Sequence, residues 1–297
     1  MNFAIVQLFI FQLILPAFFI FTLWKSKYDS KLQWLIQALL AIMYTIWTIF
    51  SGKWDWLSYY FIFVWFILLV FTSFRSWSNA KQLPFRIQTS AKKKLSLGFE
   101  VLIMLVFALY NVFIFSSYFT TDKAIDLSFP LKDGTYYIAH GGSNEMMNYH
   151  NAYEPQQYAL DIVKLNKMGV RANGLYPKNL DKYEIYGETL YSPCTGEVLE
   201  ARNNLPNLIP PEADPEHATG NYVALGCEDA VIYIAHMKKN SVKVNEGETI
   251  QEGQQIGLVG NSGNTSEPHL HIHAEKDGIG IPLRFDGKFF VRNYLVR

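Results

Sequence analysis

Four stretches of this 297-residue chain, residues 3–24, 32–50, 56–74 and 101–119, contain no charged side chain, and each is long enough to cross a bilayer as a helix. Aromatic and branched residues fall on every face of these runs. None has the polar stripe that a helix of a water-soluble bundle turns to solvent. The expectation is an all-α anchor of four transmembrane helices rather than a buried soluble bundle. All seven tryptophans lie between Trp24 and Trp77, several near the ends of the runs, where interfacial anchors sit. Without a charged residue in the apolar cores, a transporter or sensor reading has no polar lining for an ion pathway or relay.

Charge orients the anchor. The formal net charge of zero conceals an asymmetry, because residues 1–117 hold ten of the 26 Lys/Arg but three of the 26 Asp/Glu, which is +7 against −7 for the remainder. Lys25, Lys27 and Lys31 fill the first loop, and Arg75, Lys81, Arg86, Lys92, Lys93 and Lys94 fill the third. Positively charged loops stay in the cytoplasm, so the nearly neutral residues 51–55 and everything after residue 119 are expected outside. Lys92, Lys93 and Lys94 beside a membrane helix report topology rather than a nucleic-acid patch. No basic n-region precedes the first run and no small-residue cleavage site follows it, so it reads as a retained helix and not a removed signal peptide. The organisation expected is a four-helix region over 1–119, a juxtamembrane linker over 120–132 and an external domain over 133–297.

The external part reads as mainly β. Short alternating segments at 189–191, 196–201, 221–225, 230–236 and 255–259, punctuated by Gly, Pro and Asn, predict a compact antiparallel sheet structure. Residues 203–220, rich in Pro and acidic groups, predict an exposed loop. His217, alone on it, reads as a surface or structural histidine rather than a ligand, and the loop reads as ordinary solvated chain ahead of the alternative, a wall of a substrate cleft. Cys194 and Cys227 have no CxxC spacing, which argues against a thiolate zinc site. On the oxidising side of a membrane a Cys194–Cys227 disulfide is expected, with a pair of buried free thiols as the alternative.

Residues 261–273, Asn-Ser-Gly-Asn-Thr-Ser-Glu-Pro-His-Leu-His-Ile-His, place His269, His271 and His273 at alternate positions of an apolar segment. On a strand these share one face, roughly 6 to 7 Å apart, so one can bind a metal while a neighbour reaches water on that metal. His273 either lines the site or is structural. Its pairing with Glu275 suggests a cupin-type set, but the further Gly-rich His motif a cupin needs downstream is missing.

Taken with Tyr233-Ile-Ala-His236, Gly247, Gly253-Gln-Gln-Ile-Gly257, Gly260-Asn-Ser-Gly-Asn264 and Pro268-His-Leu-His271, these residues resemble the lysostaphin or LytM type of zinc metallopeptidase. The resemblance runs from about Tyr136 to near the C-terminus. It implies a duplicated-hybrid-motif, LytM-like β domain, one Zn2+ per chain, and a peptidoglycan stem or cross-link peptide as substrate. Carried over, His271 and Asp161, in Tyr158-Ala-Leu-Asp-Ile162, are zinc ligands, while His236 and His269 take the catalytic role. Three protein ligands leave an open zinc position for water, and two imidazoles beside it supply a proton acceptor and an oxyanion donor. Which imidazole does which stays open.

One departure from the family matters. The family's first motif is usually HxxxD, and four residues before Asp161 stands Gln157, whose neutral amide oxygen is a weak zinc partner. His150, in Asn148-Tyr-His150 and eleven residues before Asp161, is the expected substitute, reachable if residues 151–156 loop out; the pattern resembles a variant branch of the family. His140, in Ala139-His-Gly-Gly142, is the rival. Asp161, flanked by Leu160 and Ile162, needs a cation or donors if its charge is buried. The resulting expectation is a multi-pass protein of the bacterial cytoplasmic membrane whose external domain hydrolyses peptidoglycan, with the lipid bilayer and wall peptides as partners and no nucleic acid. The alternative is a non-catalytic LytM-like module that binds or activates another cell-wall hydrolase.

Overall fold

The structure, a computed structural model, describes residues 3–88 and 90–297. It separates into a helical unit, of residues up to Lys53 together with Tyr60–Phe115, and a β unit formed by Trp54–Tyr59 and Ser116–Arg297. The fold class matches the reading from sequence: four long apolar helices and a mostly antiparallel β domain.

The helices Ile5–Lys25, Lys31–Ser51, Phe61–Ala80 and Ala91–Ser116 are each long and apolar enough to span a membrane. Some polar groups among them find partners on a neighbouring helix. Pro16 has no N–H for the helix ladder, and the carbonyl four residues earlier, on Gln12, instead accepts the indole N–H of Trp65 at 3.0 Å. A π-helical turn over Ile10–Ile14 accommodates the irregularity. Ser30 caps the second helix by accepting from the Gln33 N–H, and Trp34 donates to Ser76 Oγ at 2.9 Å. The third helix begins at Phe61 rather than at residue 56, because Trp54–Leu57 forms a short separate helix. The fourth starts ten residues before the uncharged run, at Ala91, and carries Lys92, Lys93 and Lys94 on its first turn.

In the β unit the strands are, in chain order, β1 (Ile125–Leu127), β2 (Thr135–His140), β3 (Leu160–Leu165), β4 (Thr189–Tyr191), β5 (Gly196–Arg202), β6 (Asn221–Cys227) and β7 (Ala230–Met237). They continue with β8 (Thr249–Ile250), β9 (Gln255–Leu258), β10 (Leu270–Lys276), β11 (Ile279–Ile281), β12 (Leu283–Phe285), β13 (Lys288–Phe289) and β14 (Leu295–Val296). The main sheet runs β14-β2-β3-β10-β7-β6-β5-β8, with β11 paired to β10. Residues 120–132, read from sequence as a linker, instead carry β1, which pairs in parallel with β12 and buries Ile125 and Leu127 in the core. A disulfide joins Cys194 to Cys227.

Alternation along the central strands decides where the site forms. Leu160 and Ile162 of β3, Ile232 and Ile234 of β7, and Leu270, Ile272 and Ala274 of β10 all enter one core. The residues between them, including Asp161, His271 and His273, must then share the opposite face.

Residues 54–59 are held in the β unit by their own bonds. The Trp54 N–H donates to the Tyr137 hydroxyl at 3.2 Å, Ser58 Oγ donates to the Met168 carbonyl at 2.8 Å, and the Tyr59 N–H donates to the Gly169 carbonyl at 2.8 Å. Tyr59 also packs against the small cluster of Tyr137, Val163 and Leu165 behind β2 and β3.

Candidate metal centre

Antiparallel pairing of β3 with β10 sets Asp161 directly opposite His271, and His271 Nδ1 lies 3.0 Å from Asp161 Oδ1. His150 comes from a 3-10 turn, Tyr149–Ala152, whose preceding Asn148 accepts from the His150 N–H. The same asparagine donates to the carbonyls of Gly142, Gln157 and Ala159, pinning the excursion between β2 and β3. That excursion brings His150 Nε2 to 3.0 Å from Asp161 Oδ2. All three residues are buried.

His236 reaches the site through a backbone irregularity. Strict alternation after Ile232 and Ile234 would point residue 236 into the core, yet Met237 is the residue found there. The register of β6 with β7 shifts between Asn221 and Val223, and His236 adopts a left-handed φ of 57°. This conformation is uncommon for a residue with a Cβ and often marks a functional position. The imidazole thereby swings to within 4.9 Å, ring to ring, of His269 and 5.6 Å of His271. The turn that follows allows no Cβ at Gly260, where one would stand 2.3 Å from the Lys238 backbone nitrogen.

Hydrogen-bond partners fix the tautomers. His236 Nδ1 faces the Ser262 carbonyl at 2.9 Å, and His269 Nδ1 faces the Glu267 carbonyl at 2.9 Å. A carbonyl only accepts, so both Nδ1 atoms carry the proton and both Nε2 atoms look into the site. His269 Nε2 is buried, 3.4 Å from Asp161 Oδ1 without the geometry of a hydrogen bond. A longer chain fixes His271. Glu275 Oε1 lies 3.1 Å from His273 Nε2, and His273 Nδ1 lies 3.0 Å from His271 Nε2. The carboxylate makes His273 Nε2 the donor, so neutral His273 accepts at Nδ1 and His271 donates from Nε2. His271 Nδ1 is left as a bare lone pair aimed at Asp161.

That arrangement asks for a cation. Burial pushes the His271 imidazole down to about 3, against the pull of Asp161, and burial also lowers His273 despite Glu275. Burial thus favours the uncharged form of both rings, and with Nε2 as the donor the His271 Nδ1 lone pair faces the carboxylate oxygen at 3.0 Å. The donor set fits a zinc ion: two imidazole nitrogens and one carboxylate oxygen, every pair within 4.8 Å. Ligands around tetrahedral zinc stand roughly 3.3 Å apart. A second close triple, His236, His269 and His271, shares His271 but contains no carboxylate.

The surrounding electrostatics separate the two remaining histidines. Burial holds His236 well below the usual imidazole range, reinforced by His269 and His271. For His269 burial acts the same way, but the Asp161 carboxylate outweighs it and the value rises. Burial alone would raise Asp161, whereas the imidazoles of His150 and His269 hold it well below the carboxylate range.

The five residues singled out from sequence, His150, Asp161, His236, His269 and His271, thus converge. His140 stands opposite Asp161 in the β2–β3 pairing, but its Nδ1 takes a hydrogen bond from Arg292 at 2.8 Å. Gln157 donates its amide to the Gly280 carbonyl at 2.9 Å. His217 is exposed and bonded to Asp214. Sequence reasoning did not find the ion pair of buried Arg171 with half-buried Glu267, 2.6 Å apart and beside His269. Glu267 lies inside the 261–273 motif, but nothing in the linear pattern marks Arg171 as its partner.

Residues 180–282 match Peptidase family M23, a stretch that includes His236, His269 and His271 but not His150 or Asp161. The cell division protein DipM of Caulobacter vibrioides (strain NA1000 / CB15N) is 28% identical over 109 residues, which is 36% of this chain and 16% of that protein. The chain therefore spans a small part of that relative's length. Among solved structures, a peptidase M23 from Pseudomonas aeruginosa is 14% identical, covering 67% of this chain and 62% of its own, with a TM-score of 0.32. The catalytic domain of lysostaphin from Staphylococcus simulans is 23% identical, covering 35% of this chain and 75% of its own, with a TM-score of 0.22.

Proposed function

We propose, from a β unit that is of the lysostaphin and LytM type and matches peptidase family M23, that this protein is a membrane-anchored zinc metallopeptidase. Its substrates are peptide bonds in the stem or cross-link peptides of bacterial peptidoglycan. The observation that carries the reading is the meeting of His150 Nε2, an Asp161 carboxylate oxygen and His271 Nδ1 around one point, with two further Nε2 atoms beside it. His150, Asp161 and His271 would hold the ion. Zinc bound there would act as a Lewis acid and bring the pKa of water down to about 7. His236, held neutral with its Nδ1 bonded to Ser262, takes a proton at Nε2 and returns it to the leaving amine. His269, raised by Asp161, offers an Nε2–H to the oxyanion as it develops.

The purified full-length chain is expected to carry one zinc and to release new amino termini from purified peptidoglycan. A zinc-loaded protein that frees none would leave the alternative, a LytM-like module that binds or activates another hydrolase.

The proposed location is the bacterial cytoplasmic membrane, with the β unit on the outer face. Basic first and third loops support it, as does the disulfide. So does the membership of Trp54–Tyr59, which lie between the second and third helices, in the same unit as the residues after the fourth. A reporter fused after Arg297 should be active only outside the cytoplasm, and cytoplasmic activity would overturn the orientation.

A further inference from the structure

Arg171 is a large, charged and fully buried side chain, and the zinc reading leaves it without a task. Its Nε donates to Glu267 Oε1 at 2.9 Å and its Nη2 to Glu267 Oε2 at 2.6 Å, a bidentate fork. The Glu267 carbonyl is the atom that orients His269 Nδ1, and it also accepts from Thr265 Oγ1 at 2.8 Å. On its other side the guanidinium meets the segment between the second and third helices. The Arg171 N–H donates to the Asp55 carbonyl at 3.0 Å, Asp55 Oδ2 stands 3.7 Å from Arg171 Nε, and the Trp56 ring lies 3.7 Å beneath Cζ. Trp56 in turn stacks on Tyr176, ring centres 5.3 Å apart, and the Tyr176 hydroxyl donates to the Ser266 carbonyl at 2.9 Å. Both routes from Asp55 and Trp56 end on Ser266 and Glu267, the residues that lead into His269.

We propose that Arg171 is a positioning residue for His269, acting through Glu267, and that Asp55 and Trp56 of the inter-helix segment hold Arg171 in place. The inference rests on the peptidase reading for the role of His269. A buried charge is retained here because the planar fork fixes Glu267 in direction as well as distance, which a lysine ammonium cannot do. Glu267 fixed in this way leaves the His269 ring one orientation, with Nε2 toward Asp161.

The test uses the full-length chain in detergent, comparing Arg171→Lys and the milder Asp55→Asn with wild type. Expected for Arg171→Lys is a kcat lower by roughly 10- to 100-fold, the loss that follows a small misplacement of a reacting group. KM and zinc content should stay at wild-type levels, and Asp55→Asn should show a smaller loss of the same kind. Carbethoxylation of His269 by diethylpyrocarbonate, referenced to exposed His217 in the same sample, should quicken in both variants. Wild-type kcat and wild-type His269 protection in folded, zinc-loaded variants would overturn the proposal, and so would a loss confined to zinc content or KM. If the wild-type chain cleaves nothing, the peptidase reading fails, and the labelling rates alone judge whether Arg171 fixes His269.

Discussion

Asp161→Ala and His271→Ala are expected to strip the protein of its zinc and to lower peptidoglycan hydrolysis by at least about 10³-fold, since the ion is what makes water reactive at neutral pH. Asp161 is the hub of the site, with His150 on one oxygen and both His269 and His271 on the other. Its removal takes away the carboxylate charge that draws a dication in. His271 contributes differently: Glu275, working through His273, fixes its tautomer so that Nδ1 can only accept. His150→Ala should join this group, whereas His140→Ala, whose ring nitrogen is already bonded to Arg292, should keep its zinc. Elemental analysis of the purified full-length variants decides. Full zinc in His150→Ala would show that the third ligand lies elsewhere, and the triple of His236, His269 and His271 would then be the first to test.

The second large effect separates chemistry from binding. His236→Ala and His269→Ala should each retain one zinc while kcat falls by about 10²- to 10⁴-fold, the range for loss of a positioned proton-transfer group. The double variant should be little worse than the poorer single one, because residues that act as a unit are strongly non-additive. Zinc lost together with activity in either single variant would move that histidine from the catalytic pair to the ligand set.

Much of this site could be read in the sequence because its positions follow from periodicity. His271 and His273 alternate with Leu270, Ile272 and Ala274, and burying the aliphatic side in the core fixes the histidine side. The four helices were legible for another reason, their uninterrupted uncharged length, and β4, β5, β6, β7, β9 and β10 were legible as short alternating segments. The parts that escaped depend on contacts between distant residues. His236 was singled out through the family resemblance and not through periodicity, because it reaches the site where β7 breaks alternation at a left-handed residue. Asp55 and Trp56 looked like the end of one membrane loop and the start of the next apolar run. Their assignment to the β unit comes from an arginine far along the chain. β1 was hidden in a stretch polar enough to read as a linker, its pairing being with β12 near the other end of the domain.

Because Trp54–Tyr59 and Ser116–Arg297 form one unit, the segment that completes the domain is translated before two further helices and well before the sheet it joins. A ribosome releasing this chain has delivered Asp55 and Trp56 long before Arg171 exists to receive them. Assembly of the β unit must therefore wait until both of its segments have been delivered. The same threading means that a fragment beginning after the fourth helix, however convenient as a soluble reagent, would lack one of the domain's own pieces.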